Sequence, residues 1–228
     1  MNEAREHRRL AEALGHVFQD PAWLRRALTH RSHAADNNER LEFLGDALLN
    51  FVIAEALFER RPGAEEGELS RLRASLVREP ALAGLARDLA LGELLQLGEG
   101  ERKSGGWRRD STLADAFEAL IGAIYRDAGF EAARAACLRC FAPLLEHLPD
   151  AESLKDAKTR LQEWLQARAR PRPRYEVVAE SGPPHARAFE VLCALEDAPV
   201  EARASGSSRR IAEQRAAETL LQELHRHA

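Results

Sequence analysis

The sequence has little cysteine and no long hydrophobic run, and each absence excludes a class of protein. Three cysteines, Cys137, Cys140 and Cys193, are too few for a disulfide-stabilised secreted domain. No segment approaches the ~20 consecutive apolar residues of a membrane helix. The opening MNEAREHRRL is too charged for a secretory signal. We therefore expect a soluble, cytoplasmic protein with reduced thiols and no membrane partner.

The sequence also lacks a basic excess, because its formal net charge is -4. This balance argues weakly against a nucleic-acid partner, since phosphate binding usually shows as an excess of Lys and Arg. The acidic excess lies entirely before residue 149, however, and acidic and basic residues are equal in number after it. A length of 228 residues, 45% of them hydrophobic, predicts two folded domains.

The hydrophobic spacing changes near residue 149. Before it the spacing is helical, with the most apolar helices at Arg40–Phe58 and Leu113–Tyr125, which we expect to be buried. After it an amphipathic helix over Asp156–Arg168 precedes three strand-like runs and a helix over Ser208–Leu224. The runs are Tyr175–Ala179, Ala188–Leu195 and Val200–Ala204. The sequence thus predicts an all-α domain over 1–148, a linker over 149–155 and a small αβββα domain over 156–228.

Carboxylates interrupt both of the most apolar helices. Glu39, Glu42 and Asp46 fall within about 60° of one another around the first helix, and Asp115 and Glu118 lie one turn apart on the second. Like charges in poorly solvated positions require a compensating cation. Oxygen ligands alone are typical of Mg²⁺ or Mn²⁺ sites, which fit phosphoryl chemistry.

Simpler interpretations exist for each of these residues. The acids could pair with arginines, and Asp115 could cap the helix start at Ser111–Thr112, although five acids on two apolar helices favour a metal site. The pair Cys137 and Cys140 lacks the two further ligands that zinc requires. His30 is interpreted as a structural hydrogen-bonding residue. Lys103 either contacts phosphate or caps a turn.

Five strings of residues resemble bacterial ribonuclease III. The segment NERLEFLGDA at 38–47 is similar to the signature helix of that family, and further strings match in order. These are LTHRS at 28–32, EGELS at 66–70, KSGG at 103–106 and LADAFEALIG at 113–122. The resemblance covers essentially the whole chain. It implies a homodimeric, helical endonuclease domain followed by a double-stranded-RNA-binding domain.

The resemblance also implies roles for particular residues in the first domain. Four carboxylates would hold Mg²⁺, or Mn²⁺ in its place, directly or through water: Glu42, Asp46, Asp115 and Glu118. Of these, Asp46 and Glu118 are the expected catalytic residues. Glu39 and Glu66 would lie nearer the RNA. Phe43 would lie at the dimer interface, although the residues alone indicate an ordinary core aromatic.

The start of the final predicted helix combines small residues with two arginines. Backbone N–H groups and guanidinium groups at Ser208, Arg209 and Arg210 form a potential phosphate site, although such a pair is often only a solvated face. Similarity to double-stranded-RNA-binding domains implies minor-groove contacts from two further segments. These contacts are Thr159, Gln162, Glu163 and Gln166 on the first helix, and His185 in the first inter-strand loop. Glu213 stands where many such domains carry a third basic residue, which predicts modest affinity.

The resulting functional prediction is metal-dependent hydrolysis of both strands of duplex RNA, leaving 5′-phosphate and 3′-hydroxyl ends with short 3′ overhangs. Precursor ribosomal RNA and structured messenger RNA are the expected substrates. One alternative is a non-cutting double-stranded-RNA-binding scaffold, which would be expected to lack the metal carboxylates. Another is a hydrolase of small phosphate esters, which leaves the second domain without a role.

Overall fold

A computed structural model describes residues 2–183 and 186–226. The chain divides between Ala151 and Glu152 into two compact units, which are described separately below. No helix in the described ranges has the length and apolar character needed to cross a membrane.

The first unit is all-helical, as the spacing predicts. Its helices are α1 (Asn2–Leu14), α2 (Pro21–Ala27), α3 (Glu39–Arg60), α4 (Glu66–Leu76), α5 (Glu79–Asp88), α6 (Leu91–Leu94), α7 (Glu99–Lys103), α8 (Asp110–Ala128) and α9 (Phe130–Glu146). A single 3-10 turn over Gly106–Arg108 precedes α8. Most of these helices start or stop at the Gly and Pro breaks of the sequence, where the backbone cannot continue regular hydrogen bonding.

Helix α8 forms the centre of the first unit. It packs against α2, α3, α5 and α9, and most of its side chains between Thr112 and Ile124 are buried. Phe117 is fully buried and meets Phe141 of α9 edge to face, with ring centroids 6.0 Å apart. The prediction that this apolar helix lies in the interior is confirmed. Its acidic residues are therefore held in a fixed, poorly solvated position.

Helix α3 is buried on one face only, contrary to the prediction for its apolar residues. Leu41, Leu49 and Val52 are buried, whereas Phe43 and Phe51 are 81% and 57% exposed. Phe58, which follows on the same stripe, is 71% exposed. The prediction that α3 is enclosed on nearly every side was wrong because α4, α8 and α9 together cover only part of its surface. The remaining aromatic side chains form an uncovered apolar stripe.

Two glycines bring the backbones of α3 and α8 into direct contact. A Cβ atom at Gly45 of α3 would overlap the carbonyl group of Glu118. A Cβ atom at Gly122 of α8 would overlap the carbonyl oxygen of Leu41. Only glycine permits this separation, so the two positions set how closely the acidic stripes of the helices approach.

The second unit has the predicted order of one helix, three strands and one helix. Its elements are α10 (Ala157–Gln166), β1 (Arg174–Ser181), β2 (Ala188–Ala194), β3 (Glu201–Gly206) and α11 (Arg209–Arg226). The strands form an antiparallel sheet in the order β1-β2-β3. Leu161, Val191, Cys193 and Leu220 lie in its core. The predicted fold class, an all-α domain followed by a small αβββα domain, is confirmed.

Candidate active site

Three carboxylates from the two crossing helices converge in the first unit. Glu42 of α3 and Asp115 and Glu118 of α8 each offer an oxygen, and these oxygens all lie within 4.8 Å of one another. All three residues are partly buried. Within residues 2–183 and 186–226, this carboxylate trio is the one group of three or more His, Cys, Asp or Glu side chains with that geometry.

The trio lacks the ion pairs that a purely structural role would require. Among ion pairs within 4.0 Å between described residues, none involves Glu42, Asp115 or Glu118. The capping interpretation of Asp115 also fails, because α8 begins at Asp110 and Asp115 lies inside the helix. Within the described residues, no direct ion pair therefore compensates the negative charge of the trio, which makes it a candidate metal site.

Burial and the charges of neighbouring carboxylates raise the pKa values of all three side chains, although the charge of Arg31 opposes the shift at Glu42 and Asp115. Burial, followed by the charges of Asp46, Glu42 and Asp115, raises the pKa of Glu118 to about 8. Burial and then the charge of Asp115 raise the pKa of Glu42. Burial and then the charge of Glu79 raise the pKa of Asp115. A divalent cation would reverse these shifts, since opposite charge favours the ionised carboxylate.

Asp46 lies beside the trio but outside it. Its carboxylate accepts a hydrogen bond from the Asn50 side-chain amide at 2.8 Å, and the residue is exposed. Its charge is nevertheless the largest electrostatic contribution to the raised pKa of Glu118. The structure therefore brings three of the four expected ligands together and leaves Asp46 close enough to interact electrostatically.

A cavity beside the trio contains charged groups that the sequence did not single out. Arg31, Glu101 and Arg109 line it together with Glu39, Glu42 and Asp115. Arg109 donates to Glu101 at 2.6 Å, and Arg31 lies 3.4 Å from Glu39. Arg31 occurs in the LTHRS string, and that family-like string is the sequence feature that could have identified it. Arg109 lines the cavity because of how the segment before α8 folds back, and the spacing of residues in the sequence does not reveal this fold.

The segment that carries Arg31 is fixed by the chain that follows α6. The backbone N–H of His30 donates to the carbonyl oxygen of Gln96 at 3.0 Å. The hydroxyl oxygen of Ser32 accepts from the Gly98 N–H at 2.9 Å and contacts His30 Nδ1 at 2.8 Å. His30 thus has the hydrogen-bonding environment expected of a structural residue.

Two other candidates of the first unit lie apart from the trio. Glu66 accepts a hydrogen bond from the Ser70 hydroxyl at 2.8 Å and lines a surface groove with Phe51 and Phe58. The ammonium group of Lys103 lies 2.5 Å from a Glu99 carboxylate oxygen, one helical turn away. Neither side chain joins the carboxylate trio within this chain.

The two cysteines of α9 have the properties of inert thiols. Cys137 is buried and Cys140 is half-buried. Burial raises the pKa of Cys137 to about 12 and that of Cys140 to about 11, so both remain protonated at neutral pH.

In the second unit, the residues expected to contact RNA occupy two surfaces. Thr159, Glu163 and Gln166 are exposed on α10, and Gln162 on the same side is half-buried. The Ser208 hydroxyl accepts from the Ile211 N–H at 3.3 Å, and Arg209 and Arg210 are exposed in the first turn of α11. His185, which was predicted to enter a groove of the RNA, lies outside the described residues.

Two family models match the two units. Residues 20–144 match the model described as ribonuclease-III-like. Residues 157–224 match the double-stranded RNA binding motif. The first match spans more than half of the chain and contains the whole carboxylate trio.

Curated relatives and a solved structure agree with these matches. Ribonuclease 3 of Dechloromonas aromatica is 56% identical over 215 residues, which is 94% of this chain and 97% of the relative. Ribonuclease 3 of Pseudomonas fluorescens is 59% identical over 213 residues, or 93% of each chain. The ribonuclease III nuclease domain from Campylobacter jejuni superposes with a TM-score of 0.58 at 45% identity, covering 59% of this chain and 95% of that domain. The chain belongs to the ribonuclease III family of endoribonucleases, which cleave double-stranded RNA.

Proposed function

We propose that the chain cleaves duplex RNA with Mg²⁺ held by Glu42, Asp115 and Glu118. The single observation that carries this proposal is the convergence of three carboxylate oxygens from two crossing helices within 4.8 Å of one another. The donor set fits the ion, because hard divalent cations prefer carboxylate and water oxygens. Mn²⁺, which accepts the same ligands, is the expected substitute.

The carboxylates at this site have different proposed roles. Mg²⁺, when bound, supplies a more acidic water and stabilises charge on the leaving oxygen. Glu42, Asp115 and Glu118 hold the ion, and Asp46 adds negative charge at its edge. The proposed catalytic residues are Asp46 and Glu118, as the family resemblance implies, and the charge of Asp46 helps to raise the pKa of Glu118. Hydrolysis is expected to leave 5′-phosphate and 3′-hydroxyl ends with short 3′ overhangs.

Charged side chains in the adjacent cavity would position the substrate backbone. Arg31 and Arg109 line this cavity and carry the positive charge that phosphate groups require. Each is paired with a carboxylate, Glu39 and Glu101 respectively, which fixes the guanidinium group. We propose that Glu39 contacts the RNA side of the site and does not hold the metal, as the family resemblance implies. Glu66 lies apart from the trio, so a position near the RNA requires that a molecule other than this chain contacts it.

The second unit would hold the duplex through two surfaces. The exposed polar stripe on α10 suits hydroxyl contacts in a minor groove, and the arginines at the start of α11 suit phosphate groups. The stripe comprises Thr159, Gln162, Glu163 and Gln166, with His185 proposed for the next groove. The helix start contributes Ser208, Arg209 and Arg210.

We further propose that the chain acts as a homodimer, so that one site faces each strand. The uncovered stripe of Phe43, Phe51 and Phe58 on α3 supports this, because three large exposed apolar side chains on one helix face are costly to hydrate. The ribonuclease III nuclease domain from Campylobacter jejuni is described as having a region involved in dimer formation. The exposed stripe lies next to the acidic stripe on α3, so a dimer would bring two sites to one interface.

Cleavage of a long RNA duplex tests the proposal directly. The full chain is incubated with duplex or single-stranded RNA in Mg²⁺, Mn²⁺ or chelator, and the ends of the products are analysed. We expect duplex-specific cleavage in either metal, none in chelator, and 5′-phosphates on the products. Duplex binding without cleavage in Mg²⁺ would instead support the non-cutting scaffold. Mapping cut ends in cellular RNA tests precursor ribosomal RNA and structured messenger RNA as substrates.

A further inference from the structure

One carboxylate in the second unit holds two cations from two different helices. An oxygen of Glu213 on α11 accepts from the ammonium group of Lys158 on α10 at 2.7 Å. Its other oxygen accepts from Arg209 Nε at 2.8 Å. The Glu213 side chain is 13% exposed, whereas those of Lys158 and Arg209 are 35% and 65% exposed. The carboxylate is therefore covered, and the cations lie at the surface.

Further contacts fix the position of Lys158. Its ammonium nitrogen lies 4.3 Å from the centroid of the Tyr175 ring, a cation–π contact. Its backbone N–H donates to the side-chain oxygen of Gln214 at 3.2 Å, which ties the start of α10 to the first turns of α11. Asp156 caps α10 at the same end by accepting from the Thr159 N–H. An ammonium group has three N–H donors, so one remains after Glu213 and Tyr175 are contacted.

We propose that Lys158 is a phosphate-binding residue for duplex RNA, acting beside Arg209 and Arg210, and that Glu213 is a positioning residue that holds Lys158 and Arg209 in place. Lys158 of α10 thus supplies the third basic side chain, which α11 lacks because position 213 is a glutamate. This inference rests on the proposed RNA contact of the second unit. It replaces the expectation that Glu213 only weakens the basic surface.

The charges at this surface still favour a phosphate. Burial raises the pKa of Glu213, but hydrogen bonds from Lys158 and Arg209 outweigh it and leave that pKa below its ordinary value. Glu213 is therefore ionised at neutral pH and neutralises one of its two partners. The four side chains of Lys158, Arg209, Arg210 and Glu213 therefore carry a combined charge of +2, and Arg210 is exposed in the same helical turn as Arg209.

Duplex binding by the full chain distinguishes a phosphate contact from a merely structural ion pair. Affinity for a short RNA duplex is measured in chelator, which prevents cleavage, over a series of salt concentrations. The variants are K158M, E213Q and the double variant K158M/E213Q, with K158R as the conservative replacement. R170M is the matched control, because Arg170 forms an ion pair with Asp197 at 2.7 Å in the same unit.

We expect K158M to bind several-fold more weakly and to reduce the slope of log affinity against log salt by about one. A smaller loss in the same direction is expected when K158M/E213Q is compared with E213Q, because the amide oxygen at position 213 still accepts from Lys158 and no anion is left unpaired. K158R should restore most of the affinity, and R170M should retain the wild-type slope. If K158M does not fold, K158Q gives the same comparison, since its amide can still donate to Glu213.

The comparison of E213Q with K158M/E213Q decides whether Lys158 contacts phosphate or only pairs with Glu213. Equal affinity and slope for E213Q and K158M/E213Q would overturn the inference, because Lys158 would then serve only to balance Glu213. Failure of the wild-type chain to bind duplex RNA would be a different result, which would contradict the proposed function of the second unit.

Discussion

Glu118 is the residue whose protonation we expect to oppose metal binding at the proposed site. Its pKa is raised to about 8 by burial and by the charges of Asp46, Glu42 and Asp115, so it is mostly protonated at pH 7 without metal. A bound cation favours the carboxylate, so metal binding must release a proton. We expect Mg²⁺ or Mn²⁺ affinity to rise between pH 6.5 and 8.5. Calorimetric titrations in buffers of different ionisation enthalpy measure the protons released.

The stability of the metal-free chain provides a control on that prediction. A carboxylate with a raised pKa binds more protons folded than unfolded between its ordinary value of 4.5 and about 8. Its contribution to the free energy of unfolding therefore falls as pH rises through that window. Glu118→Gln should flatten this part of the pH dependence of thermal unfolding. Proton release that is unchanged in Glu118→Gln would show that another group is responsible.

At the scale of elements, the crossing of α3 and α8 determines whether the trio forms. Gly45→Ala or Gly122→Ala forces a Cβ atom into a backbone carbonyl of the other helix and must separate the two backbones. We expect a loss of roughly 1–3 kcal/mol or more in stability, together with weaker metal binding, because Glu42 moves away from Glu118. Chemical denaturation and metal titration measure the two effects.

Gly84 offers a matched control for these substitutions. It lies inside α5, and a Cβ atom there would meet nothing within 4 Å. Gly84→Ala should therefore stabilise the chain by up to about 1 kcal/mol, through helix propensity alone, without changing metal binding. Metal affinity retained in both Gly45→Ala and Gly122→Ala would contradict the role given to the crossing.

How far the sequence predicts these elements depends on which interactions are local. The spacing of apolar residues places α3, α8 and the strands to within a few residues, because periodicity reflects one element facing one core. It does not reveal that Phe43 and Phe51 are exposed, since burial depends on how many neighbours α3 acquires. It also does not separate Asp46 from the trio, because that depends on the close approach at Gly45 and Gly122.

At the scale of the whole molecule, the proposed division of labour places cleavage in the first unit and most duplex binding in the second. Truncation after Leu148 should weaken duplex binding strongly at physiological salt and less at low salt, where residual contacts are less screened. Binding measured at both salt concentrations checks this, with the full chain as reference. Unchanged affinity of the truncated chain at physiological salt would contradict the role of the second unit.

The sequence predicts this two-unit organisation because the hydrophobic period and the charge balance both change near residue 149. The surfaces that join copies or substrates are harder to predict. Phe43 resembles a core aromatic in the sequence, and only the structure shows that the described part of its own unit leaves this side chain exposed. Lys158 and Glu213 are 55 residues apart, and their contact depends on how α10 and α11 pack.

The most direct test of the account compares cleavage and binding of the same RNA duplex by the wild-type chain and by Glu118→Gln. Cleavage is followed in Mg²⁺, and binding is followed in chelator. Glutamine keeps the size of the side chain but removes the charge that completes the metal site. We predict that Glu118→Gln loses cleavage by several orders of magnitude while its duplex affinity stays within about twofold of the wild type. Cleavage at the wild-type rate, or parallel loss of binding, would contradict the assignment of the carboxylate trio as the metal centre.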